Sequence, residues 1–199
     1  MFISFEGIDK SGKSTQASLL FNYLKKKGHS VIKTREPGGT QIGKEIEKIL
    51  LFSEKEIDGV SELFLFLADR AYHVKKIIKP VLEKKEIVIS ERFGDATIAY
   101  QGYGRGLSIS WIKELNKIVT GDIFPDITFL LDIDPLLSRK RAIKRDRIEK
   151  EEIKFHQRVR EGYLEIAESS PGRIKVVQGD VPPEEIHNKI IKVLSNYGF

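Results

Sequence analysis

The sequence predicts an α/β fold, a five-stranded parallel sheet covered by helices on both faces. Two observations predict it. Short apolar runs of strand length alternate along the chain with longer segments of helical spacing. One of the short runs, EIVIS, is continuously apolar, as a strand buried on both faces must be.

The elements follow in order. MFISFE is the first strand. KSTQASLLFNYLKKKG has apolar residues at Leu19, Leu20, Tyr23 and Leu24, a helical spacing closed by a glycine. HSVIKT is the second strand and leads into the loop REPGGT. Helices are expected over Gln41 to Leu51 and Val60 to Glu83, then the strand EIVIS. Further helices are expected near Asp95 to Tyr100 and Ser108 to Val119. ITFLLDI is the fourth strand, and PLLSRKRAIKR a helix opened by Pro135. A charged segment leads to a helix near Glu151 to Glu168. IKVVQ is the last strand and PPEEIHNKIIKVLSN the last helix. The whole chain, residues 1–199, reads as one domain.

Composition narrows the function classes. There is no cysteine, which excludes disulfides and thiolate metal sites, and the four histidines have no ligand spacing. No run approaches the roughly 18 apolar residues of a membrane span. With the first strand starting at once, no secretory leader is expected and the expected location is cytoplasmic. The net charge of +5 sits largely in lysine runs such as LKKKG and HVKKIIKP. These read first as solvated helix faces and second as attraction for an anionic ligand. No nucleic-acid-binding motif accompanies them.

The motif that carries chemistry is FEGIDKSGKST. Gly7, Gly12, Lys13 and Ser14 match G-x-x-x-x-G-K-[ST] between a strand and a helix, which predicts a P-loop NTPase-type three-layer fold. The glycines permit turns that point backbone N–H groups into one concavity, reinforced by the helix N-terminus. The run Gly7, Ile8, Asp9, Lys10, Ser11, Gly12, Lys13, Ser14, Thr15 is the candidate ATP contact. Lys13 would reach the β- and γ-phosphates, and the Ser14 hydroxyl would coordinate Mg²⁺. Glu91 ends the third strand and supplies an acid beside that metal.

A second anion site is expected at neighbouring strand ends. Arg35 lies just after the second strand and Arg92 just after the third, where ligands of such sheets bind. Guanidinium groups suit phosphate oxygens through paired hydrogen bonds. Phe66 and Arg70 are one helical turn apart and share a face. The segment 139–152, dense in both charges, reads either as a solvated helix end or as a mobile lid. A lid would exclude water and deliver a cation to the transferring group, with Arg145 and Arg147 as unranked candidates.

Five stretches, FEGIDKSGKSTQ, TREPGGTQIG, LFLFLADR, ERFGDATIAYQGYGRG and RDRIEKEEIKFHQRVREGYLEIA, together resemble the thymidylate kinase family over nearly the whole chain. The resemblance implies ATP-dependent phosphorylation of dTMP to dTDP with Mg²⁺, in a homodimer. It implies that Arg35 and Arg92 hold the acceptor phosphate in a pocket shaped by Pro37. Phe66 would stack on thymine and Arg70 would bond its O4, with Thr97 and Gln101 near the base. Tyr100 would pack against C2′ and Asp9 would accept from the 3′-hydroxyl. Some family members place a catalytic arginine at the position of Lys10, and others use lid arginines. Two departures stand out. This chain has lysine at position 10, and Glu91 where the family usually has aspartate. A Glu-Arg pair at that place also occurs in deoxynucleoside kinases, the nearest alternative. A nucleotide-dependent nucleic-acid-binding protein is the more distant one.

Overall fold

A computed structural model describes residues 1–143 and 145–198. Lys144, inside the expected lid, and Phe199 lie outside the described residues. Five parallel strands form one sheet: β1 (Phe2–Glu6), β2 (Val31–Arg35), β3 (Ile87–Glu91), β4 (Ile127–Asp132) and β5 (Ile174–Gln178). Their order is β2-β3-β1-β4-β5. The chain leaves β1 toward one edge and later returns past it toward the other. The crevice beyond β1 is therefore the switch point at which α/β sheets bind ligands.

The helices are α1 (Lys13–Lys26), α2 (Gln41–Phe52), α3 (Gly59–His73), α4 (Lys79–Glu83), α5 (Gly94–Thr97), α6 (Ile109–Thr120), α7 (Pro135–Arg141), α8 (Ile153–Ser169) and α9 (Pro183–Leu194). On one face Leu20 and Leu24 of α1 and Ile190 of α9 pack against Ile3, Phe5 and Phe129. On the other, Leu63, Tyr100, Ile112, Phe155 and Val159 close over Leu130. Burying such a side chain contributes about 1.5–3 kcal/mol, and β1 is buried at every position.

Three expected helices differ in detail. One is α7, which ends at Arg141 with Ala142 already extended, although the expected helix covers Pro135 to Arg145. The span from Val60 to Glu83 is not one regular helix, because Val74–Ile78 forms a π-helical turn between α3 and α4. Pro80 has no N–H to donate back along the chain, and the wider turn absorbs that break. The helix expected to end at Tyr100 instead runs on from α5 as a π-helical segment, Ile98–Gly104. Arg35 proves to be the last residue of β2 rather than the first of the loop.

Candidate active site

The strand ends bring the predicted residues to one edge. Arg35 is registered beside Glu91, and Phe5 lies beside Glu91 on the other side. Helices α2, α3, α6 and α7 each open on a side-chain cap, from Thr40, Asp58, Ser108 and Asp134. Helix α1 opens on Gly12 with no side-chain cap, so its first-turn N–H groups are open to an anion. Gly7 has φ 130°, and a Cβ there would stand 2.4 Å from the Leu131 carbonyl oxygen, so the loop passes the sheet only as glycine.

Lys13 Nζ donates to the carbonyls of Gly7 at 3.0 Å and Ile8 at 2.7 Å. Burial, then the nearby Arg92 charge, depress its ammonium to about 7, partly offset by Asp9, Glu6 and Glu91. An arriving phosphate would supply the anion this lysine lacks. The Ser14 hydroxyl donates to Glu91 Oε2 at 2.5 Å. The longer acid therefore reaches the hydroxyl expected to hold the metal. A hydroxyl and a carboxylate fit Mg²⁺, a hard cation that takes its remaining ligands from phosphates and water. The side chains of Ile8 and Ser11 are buried behind the loop. Only their backbone groups could meet ATP.

Two clefts meet here. One, about 1070 Å³, lies over the loop and is lined by Lys10, Lys13, Ser14, Thr15, Arg35 and Glu91. The other, about 500 Å³, is lined by Phe66, Arg70, Thr97, Tyr100, Gln101 and Ile148. Asp9, Glu36, Pro37 and Arg92 line both. Arg92 sits at φ 69°, a left-handed backbone that is costly for any residue with a Cβ and aims the guanidinium across the junction. It donates to Asp9 Oδ1 at 2.5 Å, Gly7 O at 3.0 Å, Tyr100 Oη at 3.1 Å and Tyr163 Oη at 3.2 Å. Tyr100 in turn donates to Asp9 Oδ2 at 2.9 Å. Burial would raise the Asp9 carboxyl, but Arg92, Lys13 and these hydrogen bonds outweigh it and hold it at about 2.

In the second cleft Arg70 is 1% exposed. It donates to Glu36 Oε2, Thr97 Oγ1, Asn116 Oδ1 and the Phe93 carbonyl. Four of its five N–H groups are thus committed, which leaves one Nη2 proton and the Thr97 hydroxyl proton for a ligand.

The lid arginines part company. Arg147 does not reach the phosphate loop. It donates to the Leu50 carbonyl at 2.8 Å and to Glu62 at 2.6 Å, because a buried carboxylate outcompetes solvent for it. Arg145 lines a groove with Asp9, Lys10, Ser138 and Glu149 beside the loop. Lys10 pairs with Glu149 at 3.0 Å, and Ser138 and Arg141 hydrogen-bond the carbonyls of Asp9 and Lys10.

Sequence reasoning passed over several buried acids. Glu36 holds Arg70 and His73, Glu62 holds Gln101, Arg105 and Arg147, and Glu6 accepts from Tyr163 and the Phe93 N–H. A signal existed for α3. Glu62, Phe66, Asp69, Arg70 and His73 share one helical face inside an otherwise apolar run.

The thymidylate kinase family profile matches residues 5–190. The chain is 50% identical to the thymidylate kinase of Maridesulfovibrio salexigens, over 96% of this chain and 93% of that one. It is 47% identical to that of Kosmotoga olearia, over 96% and 94%. The crystal structure of the Ehrlichia chaffeensis thymidylate kinase superposes with a TM-score of 0.82 at 43% identity, covering 98% of each chain. Two clefts joined at Asp9 and Arg92 over an uncapped phosphate loop, on a chain of which these relatives match 96–98%, establish that the protein belongs to the thymidylate kinase family.

Proposed function

We propose that this protein phosphorylates dTMP to dTDP with ATP and Mg²⁺. The observation that carries the reading is the shared wall of the two clefts. One cleft has the means to hold a triphosphate and the other ends on Phe66 and Arg70, so two phosphate groups would meet at Arg92. The acceptor phosphate is already an anion, so no protein base is needed. Its oxygen forms a bond to the γ-phosphorus as the bond to the ADP oxygen breaks. Lys13, Lys10 and Arg92 offset the charge gathered there, and Arg145 adds a cation from the lid side. Arg35, paired with Glu47 at 2.8 Å, turns to the acceptor phosphate. Ser14 and Glu91 would hold Mg²⁺, which supplies charge neutralisation on the donor phosphates. Asp9 and Tyr100 meet the sugar, Pro37 closes the acceptor pocket, and Phe66, Thr97 and Gln101 take the base.

The protein is further inferred to work in the cytoplasm as a homodimer. Among the described residues no helix is long and apolar enough to cross a membrane. Exposed apolar side chains Val60 and Phe64 on α3 and Trp111 on α6 adjoin, with the Phe64 and Trp111 rings 5.8 Å apart. Light scattering should give twice the chain mass and revert to the monomer in Phe64→Glu. The deciding assay is coupled ADP release across dTMP, dUMP, thymidine, CMP and AMP. Preference for thymidine over dTMP would sink the reading.

A further inference from the structure

Glu62 is fully buried at the start of α3, and its carboxylate is surrounded by donors. Oε1 accepts from Gln101 Nε2 at 2.7 Å and from Arg105 Nε at 3.2 Å. Oε2 accepts from Arg105 Nη2 at 3.1 Å and from Arg147 Nη2 at 2.6 Å. Each oxygen thus has two donors, which fills the four acceptor positions of a carboxylate. Arginine can only donate, so neither oxygen has room for a proton of its own. The group facing Gln101 is an acceptor without alternative. The Gln101 amide must then turn its NH₂ toward Glu62 and its Oε1 the other way.

The other way is the base cleft, whose wall Gln101 shares with Arg70 and Thr97. No described residue donates to Gln101 Oε1, and that oxygen is not among the fully buried unpaired atoms, so it meets the open space of the cleft. The wall therefore offers donors, from Arg70 and the Thr97 hydroxyl, next to an acceptor fixed by Glu62. A thymine edge presents a carbonyl oxygen beside an N–H. A cytosine edge presents an amino group beside a bare ring nitrogen, the opposite pattern.

We propose that Glu62 is a positioning residue for base selection: by accepting from Gln101 it fixes that amide with its oxygen toward the ring N3, so that the cleft takes a pyrimidine carrying N3–H and refuses one carrying a bare N3. The proposal rests on the dTMP reading above. It gives a second meaning to Arg147 and Arg105, whose donation keeps the Glu62 carboxylate ionised. Arg105 is itself shared with Glu151 at 2.6 Å.

The test is Glu62→Gln. The arginines would take the new amide's oxygen, leaving its NH₂ toward Gln101. Gln101 would then flip and show its own NH₂ to the cleft. The ratio of kcat/KM for dTMP over 5-methyl-dCMP should fall by about tenfold or more, the worth of one hydrogen bond exchanged for a clash of donors. The fall should come mainly from a higher KM for dTMP, with KM for 5-methyl-dCMP unchanged or lower. Glu62→Asp, still acceptor-only, should keep the ratio within about threefold of the parent. A ratio unchanged in Glu62→Gln, with both substrates impaired alike, would show a mere brace and overturn the proposal. A second measurement needs only the parent protein. The side-chain NH₂ protons of Gln101, assigned by their loss in Gln101→Met, should be protected from exchange before any nucleotide is added. Protection that arises only with dTMP would also overturn the proposal. A parent protein inactive on dTMP would sink the functional reading instead, and the exchange measurement would still judge Glu62.

Discussion

The cleft over the phosphate loop and the cleft over Phe66 are both rich in cations, but they use them differently. In the first, Lys13 bonds, among the described residues, only backbone carbonyls and the Ser11 hydroxyl, and Arg35 and Lys10 each hold one rim carboxylate. These groups can be drawn away by a polyanion. In the second, Arg70 is locked by Glu36, Thr97, Asn116 and Phe93, and Gln101 by Glu62. A phosphate is recognised by charge that is free to respond. A neutral ring is recognised by donors and acceptors that are not free to turn. The first cleft should therefore yield to charge removal and the second to changes of hydrogen-bond polarity.

The largest effect is expected at Lys13. Lys13→Ala should lower kcat by about 10²–10³ or more while circular dichroism stays native, since charge grows on the transferring group. A folded variant with near-normal turnover would break the division between the clefts. Next is Arg92, on their shared wall. Arg92→Ala should cost about 2 kcal/mol or more in kcat/KM for dTMP, roughly 30-fold. Glu62→Asp should cost far less. A loss under about threefold at Arg92 would move the acceptor phosphate elsewhere.

The same division explains what the sequence made legible. The floor of the phosphate cleft is one contiguous loop motif, so Gly7, Gly12, Lys13 and Ser14 could be placed from spacing alone. Strand ends are set by apolar runs, which brought Arg35, Glu91 and Arg92 to one edge. The base cleft is assembled by contacts between distant residues, Arg70 with Glu36 and Asn116, and Gln101 with Glu62. Nothing local in the chain announces which acid an arginine will choose. That is why Arg147, in a segment read as one cationic lid, was not distinguished from Arg145. The polar stripe on α3 was the one readable trace of this network. The π-helical segment that carries Tyr100 and Gln101 left none, since the propensities of such turns are those of ordinary helix.

The lid pair sharpens the contrast at smaller scale. Arg145 borders the groove beside Lys10, and no ion pair holds it among the described residues. Arg145→Ala should lower kcat by about tenfold, one screened charge in a partly open site. Its unfolding free energy should stay within about 0.5 kcal/mol of the parent. Arg147→Ala should do the reverse, lowering stability by about 1–3 kcal/mol through the buried Glu62 it leaves with three of its four donors, with a lesser effect on kcat. Denaturant titrations beside initial rates would check both. A crippled Arg147→Ala with normal stability would return it to the catalytic role first expected of it.

The smallest effect on turnover is expected at Glu6, which sets a limit to the contrast. Glu6 and Asp9 both lie on the path from β1 into the loop, yet Asp9 is held at about 2 while Glu6 is pushed up to about 8. Burial and then Asp95 raise Glu6. Arg92 lowers it, but the groups bonded to it are neutral, the Tyr163 hydroxyl and the Phe93 N–H. Glu6 is thus largely uncharged at neutral pH, and Glu6→Gln should change kcat at pH 7 by no more than about twofold. Stability should respond instead. Between the ordinary carboxyl value of 4.5 and about 8 the folded chain holds a proton that the unfolded chain has released, so this site's stabilisation is complete below 4.5 and is lost as pH rises through 8. The loss has an upper slope of about 1.4 kcal/mol per pH unit. Glutamine has no proton to lose. The melting temperature of Glu6→Gln relative to the parent should therefore climb from pH 5 to pH 9. A difference that is the same at both ends would mean that Glu6 is ionised throughout and that Arg92 serves two carboxylates rather than one.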